Sequence, residues 1–202
     1  MNHMGPDEFE ARYRREGDPW GYETRPYEQA KYDATLAACG PGPFARALEL
    51  GSSIGVLSTR LTARCTRLVT VDASPTAVSA ARRRLSDTAQ TGLGGEGGNG
   101  APAVTVLLGT IPDDIPDGPY DLVVASEILY YLALEPLTAT FTRLREVTGP
   151  GSRLVAVHWR PAGPERPFTA AEVHARLGEQ PWLAHIDGAP TDDYLLDCYR
   201  RR

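Results

Sequence analysis

Cysteine is scarce in this chain: Cys39, Cys65 and Cys198 are the only three in 202 residues. They form no C-x-x-C pair and join no His/Cys cluster at metal-ligand spacing. That excludes a disulfide framework, a zinc module and a bound metal as readings, and buried free thiols in a reducing cytoplasm are expected. Long apolar runs are also missing. None approaches the roughly eighteen residues that a membrane span needs, and the opening Met1 to Glu10 is polar and acidic, with no sign of an export signal. Basic charge is in deficit, because 21 Lys and Arg stand against 26 Asp and Glu for a net charge of −5. Nucleic acid as the main partner would call for a basic footprint instead. The run Arg82-Arg83-Arg84 falls on an expected helix, where it reads as a solvated face.

What is present is enough apolar residue, 42%, to bury one sizeable core, so residues 1–202 are expected to form a single domain. Strand and helix patterns alternate, which predicts an α/β chain with a parallel sheet covered on both faces. The strands read as Ala45 to Leu50, Arg67 to Val71, Ala103 to Leu108, Tyr120 to Ala125 and Arg153 to His158. Helices are expected over Val56 to Arg64, from Ser74-Pro75 onward with Ala77, Val78, Ala81 and Leu85 inward, and over Leu134 to Val147. A further one opens at the capping box Thr169 to Glu172. Two last strands, near Trp182 to Ile186 and Tyr194 to Tyr199, are joined by a short loop and predicted to be an antiparallel pair. Thr91 to Pro102 holds six glycines and reads as a flexible surface insertion.

The densest chemical signal is Glu49-Leu50-Gly51-Ser52-Ser53-Ile54-Gly55, between the first strand and the first helix after it, with Asp72 ending the second strand. Glycines at such a turn let the backbone bend sharply beside a ligand, and an acid at the next strand tip is placed to accept from ribose hydroxyls. A dinucleotide would call for G-x-G-x-x-G, so that bare backbone approaches a pyrophosphate. Here the spacing is G-x-x-x-G, and Glu49 would repel pyrophosphate but can hold a cationic amino group. The turn resembles the first motif of class I S-adenosylmethionine (SAM) methyltransferases, E/D-x-G-x-G-x-G, with Ser53 in place of the middle glycine. That resemblance implies a Rossmann-like, doubly wound, mostly parallel seven-stranded sheet closed by an antiparallel C-terminal hairpin. It also implies SAM as cofactor, with Glu49, Gly51, Ser53, Gly55, Asp72, Ala73 and Ser126 around it.

Ligands of open α/β sheets lie beyond the carboxyl ends of the strands. After the third strand, Thr110 either hydrogen-bonds an adenine amino group, with Ile111 covering the ring, or caps the turn that follows. After the fourth comes Ser126-Glu127-Ile128-Leu129-Tyr130-Tyr131, and after the fifth His158-Trp159-Arg160. Glu127 reads either as a group at the reacting centre or as a carboxylate that ties down a backbone amide of the N-terminal segment. His158 reads as a base or as a hydrogen-bonded scaffold residue. Before the first strand, Asp18-Pro19-Trp20 leads through Tyr22, Arg25 and Tyr27 to Lys31 and Tyr32, with Pro26 opening a helix to about Ala38.

Taken in order, the D-P-W opening, the E-x-G-x-x-x-G turn, the S-E-I-L-Y-Y segment and the V-H-W-R strand end resemble the nodulation protein S family. Its members are N-methyltransferases of chitooligosaccharide. The resemblance runs from about Asp18 to Arg160 and implies that residues 1–40 form a helical cap over SAM. Trp20 and Tyr27 would then shield the sulfonium, with Arg25 or Lys31 near the cofactor carboxylate. It also implies a small-molecule acceptor of amino-sugar type, with Glu127 and His158 as candidate catalytic bases and Tyr130 and Trp159 bracketing the sugar. An O-methyltransferase of a natural product and a SAM-binding module without catalysis remain as alternatives.

Overall fold

The computed structural model describes residues 4–90, 102–189 and 191–202. Most of the glycine-rich stretch expected to be a flexible insertion, residues 91–101, lies outside the described residues. Two helices come first, α1 (Pro6–Glu16) and α2 (Pro26–Cys39). There follow β1 (Ala47–Leu50), α3 (Val56–Leu61), β2 (Arg67–Asp72), α4 (Pro75–Gln90), β3 (Ala103–Leu108) and β4 (Tyr120–Ser126). The chain ends with α5 (Leu134–Val147), β5 (Thr148–Trp159), α6 (Ala170–Gly178), β6 (Leu183–Gly188) and β7 (Tyr194–Arg201).

The seven strands form one sheet in the order β3-β2-β1-β4-β5-β7-β6. β7 slots between β5 and β6 and runs antiparallel to both, whereas the other neighbours pair in parallel. Strand order reverses between β1 and β4, so the crevice above those two strands is where such a sheet takes its ligand. Side-chain alternation sends Leu48, Leu50, Val123, Ala125, Leu154 and Ala156 to one face, under α5 and α6. Ala47, Leu122, Val124, Val155 and Val157 go to the other, under α2 and α3. Ala77, Val78, Ala81 and Leu85 are all buried, as the stripe on α4 predicts.

Local chemistry sets the helix ends. Ser74 accepts from the Ala77 amide at the start of α4, and Thr169 and Glu172 make the reciprocal capping box of α6. The arginine run is less solvated than expected. Arg82 donates to the Val106 carbonyl and Arg84 to the Ile54 carbonyl, so two of the three lace α4 to neighbouring segments. The cysteines are all buried and free. Among the described residues no helix is long and apolar enough to cross a membrane, and no His/Cys/Asp/Glu group could hold a metal ion.

Candidate functional site

The turn after β1 is built around three left-handed residues. Gly51 (φ +73°) and Gly55 (φ +82°) take backbone that disfavours side chains, and a Cβ on Gly55 would stand 2.9 Å from Ala81 Cα. Gly55 therefore serves the close packing of α3 on α4, and it does not line the cavity. Ser53, at the position of the motif's middle glycine, also has positive φ, +50°. Two bonds hold it there: its amide donates to Asp72 Oδ2 at 2.7 Å, and its hydroxyl accepts from Tyr13 at 2.6 Å. The serine thus substitutes for glycine because neighbours fix a conformation that costs about 1–2 kcal/mol for a side chain.

A cavity of about 280 Å³ opens over the carboxyl ends of the strands, just below the roughly 300–1,000 Å³ range of ligand sites. Glu49, Gly51, Ser52 and Ser53 form one wall. Asp72 and Ala73 extend it from β2, Thr110 and Ile111 from β3, and Ser126 and Glu127 from β4. The roof is α1 and the segment after it, through Phe9, Tyr13, Trp20 and Tyr22. Rings interlock there: Phe9 meets Tyr131 edge-on at 4.9 Å, Tyr13 meets Trp20 at 5.4 Å, and Trp20 stacks on Tyr22 at 5.7 Å. Glu10 pins the roof to α4, accepting from the Ser74 and Thr76 hydroxyls and from the Thr76 amide. The Ser74 bond above all lowers the Glu10 pKa, as a carboxylate at a helix N-terminus should show.

At the end under β1, burial pushes Glu49 up to about 8, although Ser58 donates to its carboxylate at 2.5 Å. Beside it Ser52 Oγ is buried without a hydrogen-bond partner. The two Asp72 oxygens accept from the Ser53 and Ser74 amides, which fixes the carboxylate at the strand tip. An acidic recess, an orphaned hydroxyl and an oriented carboxylate beneath an aromatic roof fit an adenosyl ligand with an amino-acid tail. Thr110 lines the cavity and is tied into the turn after β3, its amide donating to Asp114 Oδ2 at 2.7 Å and its hydroxyl facing the same oxygen at 3.4 Å. Ile111 lines the cavity beside it.

Past the tip of β4, Glu127 has φ +58°, a strained conformation for a non-glycine residue, as functional sites often hold. Lys31 Nζ lies 2.7 Å from Glu127 and 2.9 Å from Glu28, with 2% of its side chain exposed. Burial alone would lower the Lys31 pKa, but the two carboxylates outweigh it and raise it, so the ammonium stays charged. Burial raises the pKa of Glu28 despite Lys31. Glu127 Oε2 also accepts from the Tyr130 hydroxyl and, at 3.1 Å, from the Trp159 amide. The tie to the N-terminal segment is real, but it runs through the Lys31 ammonium rather than a backbone amide.

Several expectations are corrected. His158 is fully buried, its Nε2 accepts from the Leu129 amide and its Nδ1 meets His174, so it cannot reach an acceptor in the cavity. Strand parity explains this: His158 faces the same side as Leu154 and Ala156, toward α6. Tyr27 does not line the cavity, and its ring packs on Tyr194 and under Lys31. Lys31 is consumed by two carboxylates and does not line the cavity either. Tyr130 is buried beneath Arg166 with its hydroxyl on Glu127, so it braces that carboxylate and offers no sugar platform. Trp159, 41% exposed, stands outside the cavity with Arg166 over its ring. Sequence reasoning overlooked α1 with Phe9 and Tyr13, and also Ser52, Tyr22, Glu28 and Tyr131.

Comparison with known proteins agrees with this geometry. The family model of nodulation protein S (NodS) matches residues 6–92, the part that contains the roof, the glycine turn and Asp72. Nodulation protein S of Rhizobium tropici is 27% identical over 151 residues, 74% of this chain; the match spans 58% of that protein. The crystal structure of the N-methyltransferase NodS from Bradyrhizobium japonicum WM9 with S-adenosyl-L-homocysteine (SAH) superposes with a TM-score of 0.82, covering 98% of this chain and 99% of that one. Its 22% identity makes this a likeness of fold. A Pseudomonas syringae protein assigned as a methyltransferase is 33% identical over 88% of this chain and all of its own, with a TM-score of 0.71. The chain belongs to the methyltransferases; it has the fold of the NodS structure solved with SAH, and in sequence it is similar to nodulation protein S.

Proposed function

We propose that this chain transfers a methyl group from SAM to the amino nitrogen of a small hydroxylated acceptor of amino-sugar type. The observation that carries the reading is the pair of carboxylates, Glu28 and Glu127, that face the cavity with a single ammonium, Lys31, between them. With both carboxylates ionised one negative charge is left over in a buried place, and a cationic or developing-cationic nitrogen is what would balance it. The NodS of Bradyrhizobium is an N-methyltransferase by name, which supports an amine over a hydroxyl.

SAM, when bound, supplies a methyl group on a positive sulfonium for in-line displacement. The residues that would hold it are Glu49 and Ser52 at its amino-acid end, Asp72 at the ribose and Ile111 at the base. Phe9, Tyr13 and Trp20 exclude water above it, so alignment and desolvation are the main work of the site. An amine attacks only after losing its proton. Glu127 is the group on the cavity wall placed to take that proton, while Tyr130 and the Trp159 amide hold its second oxygen still. Trp159 would meet the part of the acceptor that projects from the cavity mouth.

The test is a screen for SAH release against amino sugars, deacetylated chitin fragments and small phenols. Release with amines is the expected result. Release with phenols alone would make the chain an O-methyltransferase, and binding of SAH without release from any acceptor would make it a binding module.

A further inference from the structure

Four side chains outside the cavity form one unbroken hydrogen-bonded line from the surface to the turn behind Glu127. His185 of β6, with 52% of its side chain exposed, has Nε2 2.8 Å from Asp197 Oδ1. Asp197 Oδ2 lies 2.5 Å from His174 Nδ1, and His174 Nε2 lies 3.0 Å from His158 Nδ1. His158 Nε2 then lies 3.2 Å from the Leu129 amide nitrogen. Methyl transfer as proposed uses none of these groups directly.

The last contact fixes the protons. A backbone amide can only donate, so His158 Nε2 is the acceptor and the neutral ring carries its hydrogen on Nδ1. That hydrogen points at His174 Nε2, which must be bare, so His174 carries its own hydrogen on Nδ1 and donates it to Asp197. Burial first, then His174, Lys31 and Arg166, hold His158 well below the usual histidine pKa, so this ring stays neutral. A second proton on His174 would sit on Nε2, facing the His158 hydrogen. Two donors cannot share one contact. His158 would have to shift its hydrogen to Nε2, where it opposes the Leu129 amide and breaks that bond.

Leu129 opens the single helical turn Leu129–Tyr131. From that turn the Tyr130 hydroxyl reaches Glu127 and the Tyr131 ring clasps Phe9 of the roof. We infer that His174 and Asp197 are positioning residues for the reaction at Glu127: neutral His174 locks the turn through His158, and protonated His174 releases it. The effect on turnover rests on the methyltransferase reading, whereas the effect on the turn does not. The groups facing the line come from every side. Asp197 and Tyr199 belong to β7, His185 to β6 and His158 to β5. Tyr130 packs on His158, while Lys31 of α2 and Arg166 before α6 act on it through space.

The test is nitrogen-15 NMR of the histidine-labelled full chain, with and without Asp197→Asn, followed by the pH profile of SAH release. The expected spectrum shows neutral His158 with its hydrogen on Nδ1, and a Leu129 amide signal that moves as His174 titrates. In Asp197→Asn the His174 Nδ1 hydrogen loses its carboxylate acceptor, so that movement should be displaced from its place in the unaltered chain. The acid limb of the SAH-release profile should follow it. His158 protonated on Nε2, or a Leu129 amide indifferent to His174, would overturn the lock. An acid limb that ignores Asp197→Asn would overturn the positioning role. If the Leu129 response is present and no acceptor is ever methylated, the methyltransferase reading fails and the lock stands.

Discussion

Glu127 and Glu49 both line the cavity, and each is held by a different physical device. Glu127 stays in place because Lys31, Tyr130 and the Trp159 amide grip both its oxygens, so Glu127→Gln should fold, bind SAH as before and lower turnover by about 10²–10⁴-fold. Isothermal titration beside a turnover assay checks this, and unchanged turnover would remove Glu127 from the mechanism. Lys31→Met leaves two buried carboxylates facing each other and should cost about 3–5 kcal/mol of stability in a denaturant titration. Glu49 sets a pH dependence. With its folded pKa raised to about 8, the free protein holds a proton there that the unfolded chain has released. The stability this confers is complete below the ordinary carboxylate range and is lost as pH rises through about 8. An ammonium ligand needs the ionised form, so SAH affinity should rise by up to about tenfold per unit between roughly pH 6 and 7.5. Glu49→Gln should flatten that slope. The acidic residues were legible as a class from their places at strand tips. Which carboxylate would take Lys31 was not, because α2 and the tip of β4 lie almost a hundred residues apart and meet only in the folded chain.

At the scale of elements, strands and helices were legible where one face is buried and the pattern repeats: β3 and α5 match their expected bounds, and the last two strands pair antiparallel as the short loop between them requires. α1 was not legible. Its eleven residues carry a stripe only two side chains wide, Phe9 and Tyr13, and charge elsewhere, so the segment resembles a solvated tail. The overlooked signs were Pro6 in the first turn and Glu8 reaching back to the Gly5 amide. Of the two readings of His158 the scaffold one holds, because strand parity turns its ring toward α6 and away from the cavity. The roof is held by a few contacts that can be removed singly. Glu10→Ala should raise the SAH dissociation constant several-fold and speed hydrogen exchange across α1, with little change in the rest of the sheet. The turn beneath has no such tolerance. Gly55→Ala meets both a positive φ and Ala81, and should cost at least about 1–2 kcal/mol, or several degrees in melting temperature.

For the whole molecule, one sheet with a reversal between β1 and β4 gathers the tips of four strands under a roof made by α1 and the segment after it. The chemistry proposed for it is alignment and exclusion of water around a donor and an amine, with Glu127 to receive the proton. Because the cofactor would bind only the folded chain, SAH at a hundredfold excess over its dissociation constant should add about 2.7 kcal/mol of stability. NAD should add none, since the G-x-x-x-G turn does not present the bare backbone that a pyrophosphate needs. The most direct measurement of the central claim is label transfer: the chain is incubated with methyl-labelled SAM and a deacetylated chitin fragment, and the product is read by mass spectrometry. The account predicts the labelled methyl on the free amino nitrogen, and its loss in Glu127→Gln. Label on a hydroxyl alone, or SAH bound with no label on any amine, would contradict it.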